Sequence, residues 1–148
     1  QMAVFASQVK IDGKPLSEMN LSNERWEEIK HDTVQGGSRI IKLRGRSSFQ
    51  SPAYNAVKMI EAAMGGEKFT LPAGCYVNDD RLGFKNVMMA MPTTIDKTGV
   101  HYDLPTGTEE EMAALKASYE HLCKMRDEIV TLGIIPAVAD WKKDNVNL

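Results

Sequence analysis

Cysteine is scarce in this chain, and its scarcity excludes a disulfide scaffold. Cys75 and Cys123 are the only two, far apart and in no CxxC pair, so a reducing compartment, the cytoplasm, fits best. Histidine is nearly as rare. His31, His101 and His121 fall in no HExxH and at no metal-ligand spacing from another His, Cys or acid, and they read as surface or interface residues. No P-loop, GxSxG or GxGxxG occurs, and the pairs Gly36-Gly37 and Gly65-Gly66 lack the spacing those motifs need. Long apolar runs are missing too. The longest, Ile129 to Ala139, holds Gly133 and Pro136 and is too short to cross a bilayer. The opening residues carry no signal-peptide pattern. With a net charge of −2 and both signs well mixed, neither a nucleic-acid arm nor an acidic tail is present.

What remains is an ordinary globular composition. A length of 148 residues, 43% apolar and 26% charged, makes one domain, 1–148, able to bury roughly 70% of its unfolded surface. Nine methionines suit an adaptable core. The chain opens with "QMAVFAS", apolar alternation already under way, and reads as a chain entered in mid-structure.

The stretch "MAVFASQVKIDGKPL" predicts a short extended pair turning at Asp12-Gly13. A helix follows over "LSNERWEEIKHDTVQGGSRIIKLRG", with Ser22 as cap, acids at its start and bases towards its end. Gly36-Gly37 is expected to interrupt it, and Gly45 to end it. Pro52 occupies a first-turn position of a second helix. That helix has apolar positions Ala53, Val57, Ile60 and Met64 and is closed by Gly65-Gly66. The period then changes to two. "EKFTLPAGCYVN" and "FKNVMMAMPTTI" read as strands joined by "DDRLG", with Asp79-Asp80 a solvated turn. "DKTG" is a hairpin connection, and "VHYDLP" returns as a third strand of an antiparallel meander. Thr108-x-x-Glu111 is a capping box. Its helix shows Met112, Leu115, Tyr119, Leu122, Arg126 and Ile129 on one face, and Gly133 ends it. "IIPAVADW" is an apolar tail expected to dock back. The order makes an α+β domain.

Few residues carry chemistry. Cys75 reads as a buried strand cysteine and Cys123 as helix packing. The acids Glu109 to Glu111 suit a helix N-terminus. The joint "KLRGRSSFQSPAYNA" is different, because it brings Arg44, Arg46, Ser47, Ser48 and Ser51 together at a helix start. It is either a capped helix–helix turn or one wall of a pocket for an anion or an oxygen-rich ligand.

"GGSRIIKLRGRSSFQSPAYNAVKMIEAAMGGE" resembles the helix–joint–helix in the substrate half of NAD-dependent lactate and malate dehydrogenases. "VMMAMPTTIDKTGVHYDLP" resembles that family's strand and hairpin, and "TEEEMAALKASYEHL" its last helix. The likeness covers most of the chain, and the joint with "GIIPAVADW" favours the malate branch. It implies an α+β fold of the lactate/malate dehydrogenase C-terminal-domain type, long helices packed on an antiparallel sheet. It also implies a partner half that binds the nucleotide through a glycine fingerprint, NAD as cofactor, a small dicarboxylate or 2-hydroxy acid substrate, and a homo-oligomer. The family's catalytic histidine stands in a Gly-His-Gly directly before a segment like "QMAVFAS", so none of His31, His101 or His121 inherits its role. Ser47 and Ser48 match the hydroxyl position lining the substrate pocket. Ser51 and Pro52 match the place where the chain touches the nicotinamide, within about one residue of register. Arg46 stands where the family usually has no charge. The resemblance thus implies the substrate-binding and subunit-contact domain of a malate dehydrogenase, inactive as an isolated chain. The alternative is a stand-alone, non-catalytic binding or assembly module of the same fold.

Overall fold

A computed structural model describes residues 3–145; Met2, at the head of the first extended segment read from the sequence, lies outside them. The first long helix, α1 (Asn23–Arg44), begins where the Ser22 side chain accepts the Arg25 N–H and ends at Gly45 with φ 71°. Gly36 and Gly37 do not interrupt it. A Cβ at either would meet no atom within 4 Å. Intrahelical hydrogen bonds carry the helix across two residues whose cost is conformational rather than steric.

Before α1, the expected extended pair is present as β1 (Lys10–Ile11) and β2 (Lys14–Pro15). They turn at Asp12 and Gly13, both with positive φ. A short 3-10 turn, Ala6–Gln8, precedes them. Past the joint runs α2 (Gln50–Ala63), with Gly65 in the left-handed region beyond its end. Its buried residue is Ala62, packed with Phe69, Ala73 and Ile95 and with Met59 against them. The apolar positions read from the sequence lie on the opposite, exposed side. Val57, Ile60 and Met64 are 62%, 60% and 84% exposed. Periodicity found an apolar face but could not say which of two faces meets this chain.

Among the described residues the strands form three two-stranded antiparallel ladders rather than one meander. β3 (Ala73–Asp79) pairs with β4 (Phe84–Met91), and β5 (Thr93–Asp96) pairs with β6 (Gly99–Tyr102). Pro92 lies between β4 and β5 and lacks the N–H a continuous ladder needs; its carbonyl accepts from Asp103. Alternation puts Ala73, Cys75, Val77 and Asp79 on the inner face of β3. On β4 the inner residues are Phe84, then Val87, Met89 and Met91. The three-residue step from Phe84 to Val87 reflects an irregularity in register between Val77 and Asp79, where Asn86 has φ 51°. An extra residue there bends the strand and leaves backbone groups without ladder partners.

α3 (Glu109–Thr131) lies on β4 and supplies those partners. The Tyr119 hydroxyl accepts the Lys85 N–H at 3.0 Å, while its ring stacks on Phe84 at 4.2 Å. The Arg126 guanidinium donates to the carbonyls of Lys85 and Asn86 at 3.1 and 2.8 Å. Leu115 completes the core with Cys75, Val77, Phe84, Val87, Met89 and Met91, and Cys123 packs against it. The two cysteines are free thiols. The tail folds back through α4 (Trp141–Asp144), whose Trp141 ring meets Tyr76 at 6.4 Å. α1 has no buried residue along its length.

Candidate functional site

The joint between α1 and α2 is short and open. Ser47, Ser51 and Pro52 are exposed and Ser48 is half-buried. Arg46 lies over the Phe49 ring, 5.0 Å from its centre, and Arg44 donates to the Gln50 side chain at 3.1 Å. Both cations therefore have partners inside the joint, Arg46 over an exposed aromatic ring. Phe49 precedes α2 without a side-chain cap. Pro52 has no N–H, so the first turn offers the N–H groups of Gln50 and Ser51 beyond the helix's own bonds. The surface thus presents hydroxyls and two backbone donors, and no acid stands within Gly45–Pro52. It could donate to the edge of a polar ligand; it encloses nothing.

The larger concavity lies elsewhere. A cleft of about 640 Å³ runs between α1, the first described residues and the start of α3. Its apolar walls are Val4, Ala6, Trp26, Val34 and Ala114, and Glu27, Lys30, His31 and Glu110 stand among them. A second cleft of about 270 Å³ adjoins it, also lined by Ala6 and Trp26. The sequence reading passed over this place, although Trp26, Lys30 and Val34 recur every four residues and so share one face of α1. Neither cleft includes Ser47, Ser48, Ser51 or Pro52.

Glu111, which also lines the larger cleft, accepts three strong bonds. The N–H and hydroxyl of Ser7 donate to it at 2.9 and 2.6 Å, and the Thr108 N–H at 2.8 Å. The Ser7 bonds and, after them, that of Thr108 hold its carboxyl below the usual carboxylate range. The capping box read from Thr108 and Glu111 is formed.

The remaining candidates settle into structural places. Asp79 is buried, not a solvated turn. It accepts from the backbone and guanidinium of Arg81, the latter at 2.6 Å, and the Arg81 hydrogen bonds draw its carboxyl down to about 2. Asp80 does face solvent, beside Lys85. Cys75 is buried, 3.1 Å from the Thr93 hydroxyl. His101 sits 2.9 Å from the Thr98 hydroxyl, and His31 and His121 are exposed. Among the described residues no cluster of three or more His, Cys, Asp or Glu could hold a metal ion. No described helix is long and apolar enough to cross a membrane.

A long capped helix on a bulged hairpin, with α1, the joint, α2 and the short α4, makes an α+β fold. The family model for the alpha/beta C-terminal domain of lactate/malate dehydrogenase matches residues 1–132, and the chain belongs to that family. It is 35% identical to a malate dehydrogenase of Pelagibacter ubique over 81% of this chain. Its fold matches the malate dehydrogenase of Salinibacter ruber with a TM-score of 0.74 at 27% identity, over 83% of this chain and 40% of that one. It also matches a lactate dehydrogenase of Cryptosporidium parvum solved with lactic acid and nicotinamide adenine dinucleotide. There the TM-score is 0.76 at 26% identity, over 84% of this chain and 41% of that one. The chain spans between about a third and two-fifths of the length of the curated relatives it matches: 41% for the first and 37% for the second.

Proposed function

We propose that this chain is the substrate-side and subunit-contact domain of an NAD-dependent malate dehydrogenase, which interconverts malate and oxaloacetate by hydride transfer. The observation that carries the reading is the run of malate dehydrogenases at 32–35% identity, each matched over about two-fifths of its length or less. The domain works joined to a nucleotide-binding half, in a homo-oligomer, and in the cytoplasm.

Hydride transfer needs a nicotinamide, a group that moves the alcohol proton, and a cation for the substrate carboxylates. NAD, when bound, accepts or gives the hydride. The residues of this chain fit only its edge. Ser51 and Pro52 are exposed at the start of α2 and can border the nicotinamide, but no glycine fingerprint is present for the pyrophosphate. Ser47 and Ser48 then border the substrate, the first from an exposed position and the second from a half-buried one. Neither can move a proton at neutral pH unaided, so these hydroxyls orient rather than react. The exposed stripe Val57, Ile60 and Met64 on α2 is the subunit-contact face, apolar where a solvated helix would be polar.

Ser47→Ala in the intact enzyme is expected to raise KM for oxaloacetate several-fold with little change in kcat, and the isolated chain is expected neither to bind NADH tightly nor to oxidise it. Unchanged kinetics in the variant would remove Ser47 from the pocket. Tight NADH binding by the chain alone would overturn the division of labour.

A further inference from the structure

Between Asp32 and Glu61 the chain holds no acid, and its charged residues there, Arg39, Lys42, Arg44, Arg46 and Lys58, are all basic. The whole chain stands at −2, so positive charge is gathered on this stretch. Its two outer cations are neutralised by the acids that bound it. Arg39 pairs with Asp32 at 2.8 Å and Lys58 with Glu61 at 2.8 Å. The inner ones are not. Lys42, Arg44 and Arg46 are exposed and enter none of the ion pairs among the described residues. Arg25, Arg81 and Arg126, by contrast, each meet a carboxylate.

The partners that Arg44 and Arg46 do have, the Gln50 side chain and the Phe49 ring, carry no charge. Nor do the helix ends cancel the collected charge. The end of α1 brings roughly half a negative charge and the start of α2 roughly half a positive one. These meet across the joint and offset each other. Lys42, Arg44 and Arg46 thus leave a net positive field around Ser47 and Ser48. The contact of Arg46 with Phe49, on the far side of both serines in sequence, keeps that guanidinium folded over the joint.

We infer that Lys42, Arg44 and Arg46 form a cationic collar that draws a dianionic dicarboxylate to Ser47 and Ser48 in preference to a monocarboxylate. The inference rests on the proposed reading of the joint as a substrate border, and adds a source of substrate preference that lies in this chain. The collar acts through its field rather than by contact. Charge interactions scale with the product of the charges, so a dicarboxylate gains about twice the free energy that a monocarboxylate does. Exposed cations gather anions at low salt and lose the effect as salt shortens the screening distance, about 8 Å at 0.15 M. The serine hydroxyls alone supply no such preference, because either acid offers them a carboxylate and a keto oxygen.

The test is steady-state kinetics at saturating NADH on the whole polypeptide that carries this chain. Oxaloacetate and pyruvate are compared at ionic strengths from about 0.01 to 0.5 M. The triple variant Lys42→Gln, Arg44→Gln, Arg46→Gln is expected to lower kcat/KM at the lowest salt about tenfold for oxaloacetate and about threefold for pyruvate, with kcat unchanged. Both losses should vanish at the highest salt, which a merely structural defect would not do. Arg44→Lys with Arg46→Lys should behave as wild type, because only charge is asked of them. Should the triple variant fail to fold, the single substitutions carry the question, each costing about twofold for oxaloacetate at low salt and nothing at high salt. Turnover of oxaloacetate that ignores the substitutions, or losses that persist at high salt, overturns the collar and leaves the proposed activity standing. Equal losses for the two acids overturn it as well. No turnover of either acid overturns the proposed activity, and the collar with it.

Discussion

Arg126 on α3 donates to the main-chain carbonyl of Asn86, a residue held at φ 51°, across 2.8 Å. The helix thereby satisfies a strand bulge that the ladder cannot. Arg126 also reaches the Lys85 carbonyl, and its side chain is only 18% exposed. Replacing it with leucine would keep the apolar contact of its stem but strand two carbonyls. The expected loss is about 2 kcal/mol, read by denaturant unfolding. Lysine should recover only part, because its one nitrogen cannot serve the two carbonyls and also replace the Nε and Nη2 contacts with Asp127.

Tyr119 serves the same bulge from about two turns closer to the helix start. Tyr119→Phe keeps the stack on Phe84 and removes the acceptor for the Lys85 N–H. It should cost about 1 kcal/mol, and Tyr119→Ala about 3 kcal/mol or more, since the second also empties the ring's space. Thermal unfolding of the two variants separates the hydroxyl from the ring.

Acid should weaken the β3–β4 turn through Asp79. Its carboxyl lies at about 2 in the folded chain against an ordinary 3.8, chiefly because the Arg81 side chain donates to it. A depressed folded value means the unfolded chain takes up the proton first as pH falls. The stabilisation is therefore whole above pH 3.8 and drains away as pH drops towards about 2. Comparing wild type with Asp79→Asn across that window checks this: the gap between the two should be constant at neutral pH and close on acidification. A gap that widens on acidification contradicts the assignment.

Gly36→Ala and Gly37→Ala should each stabilise α1 by about 1 kcal/mol, since the helix is continuous there and an added Cβ meets nothing. Melting temperature reports this. A fall instead of a rise would mean that another surface packs on those glycines in the assembled protein.

Ile60→Asp on α2 should leave the fold intact, because the side chain is 60% exposed, and should shift the intact protein towards smaller assemblies. Sedimentation velocity gives the answer. An unchanged assembly with this substitution would remove the α2 stripe from the subunit contact.

The elements were largely legible in the sequence, because caps and turns are local chemistry. Ser22, Thr108 with Glu111, Gly45 and Asp12-Gly13 all do what their residue types dictate. What escaped was set by distant partners. The apolar stripe of α2 was legible, but its exposure was not, because such a stripe does not declare which surface covers it. Asp79 looked solvated because only the folded hairpin brings the Arg81 side chain back onto it. Arg126 broke an apolar face for no visible reason until the bulge at Asn86 was in place. The cleft beside Trp26 depends on three segments meeting, and only its α1 wall has a sequence period. Ser47 and Ser48 sit between the two helices and Ser51 and Pro52 in the first turn of α2, and neither cleft includes them.

The most direct measurement is NADH oxidation with oxaloacetate and with pyruvate, on this chain alone and on the chain joined to the nucleotide-binding half of a malate dehydrogenase relative. Turnover in the joined protein, faster with oxaloacetate, and none in the chain alone is the predicted result. A folded joined protein that oxidises NADH with neither substrate would contradict the account and leave a binding or assembly module of the same fold.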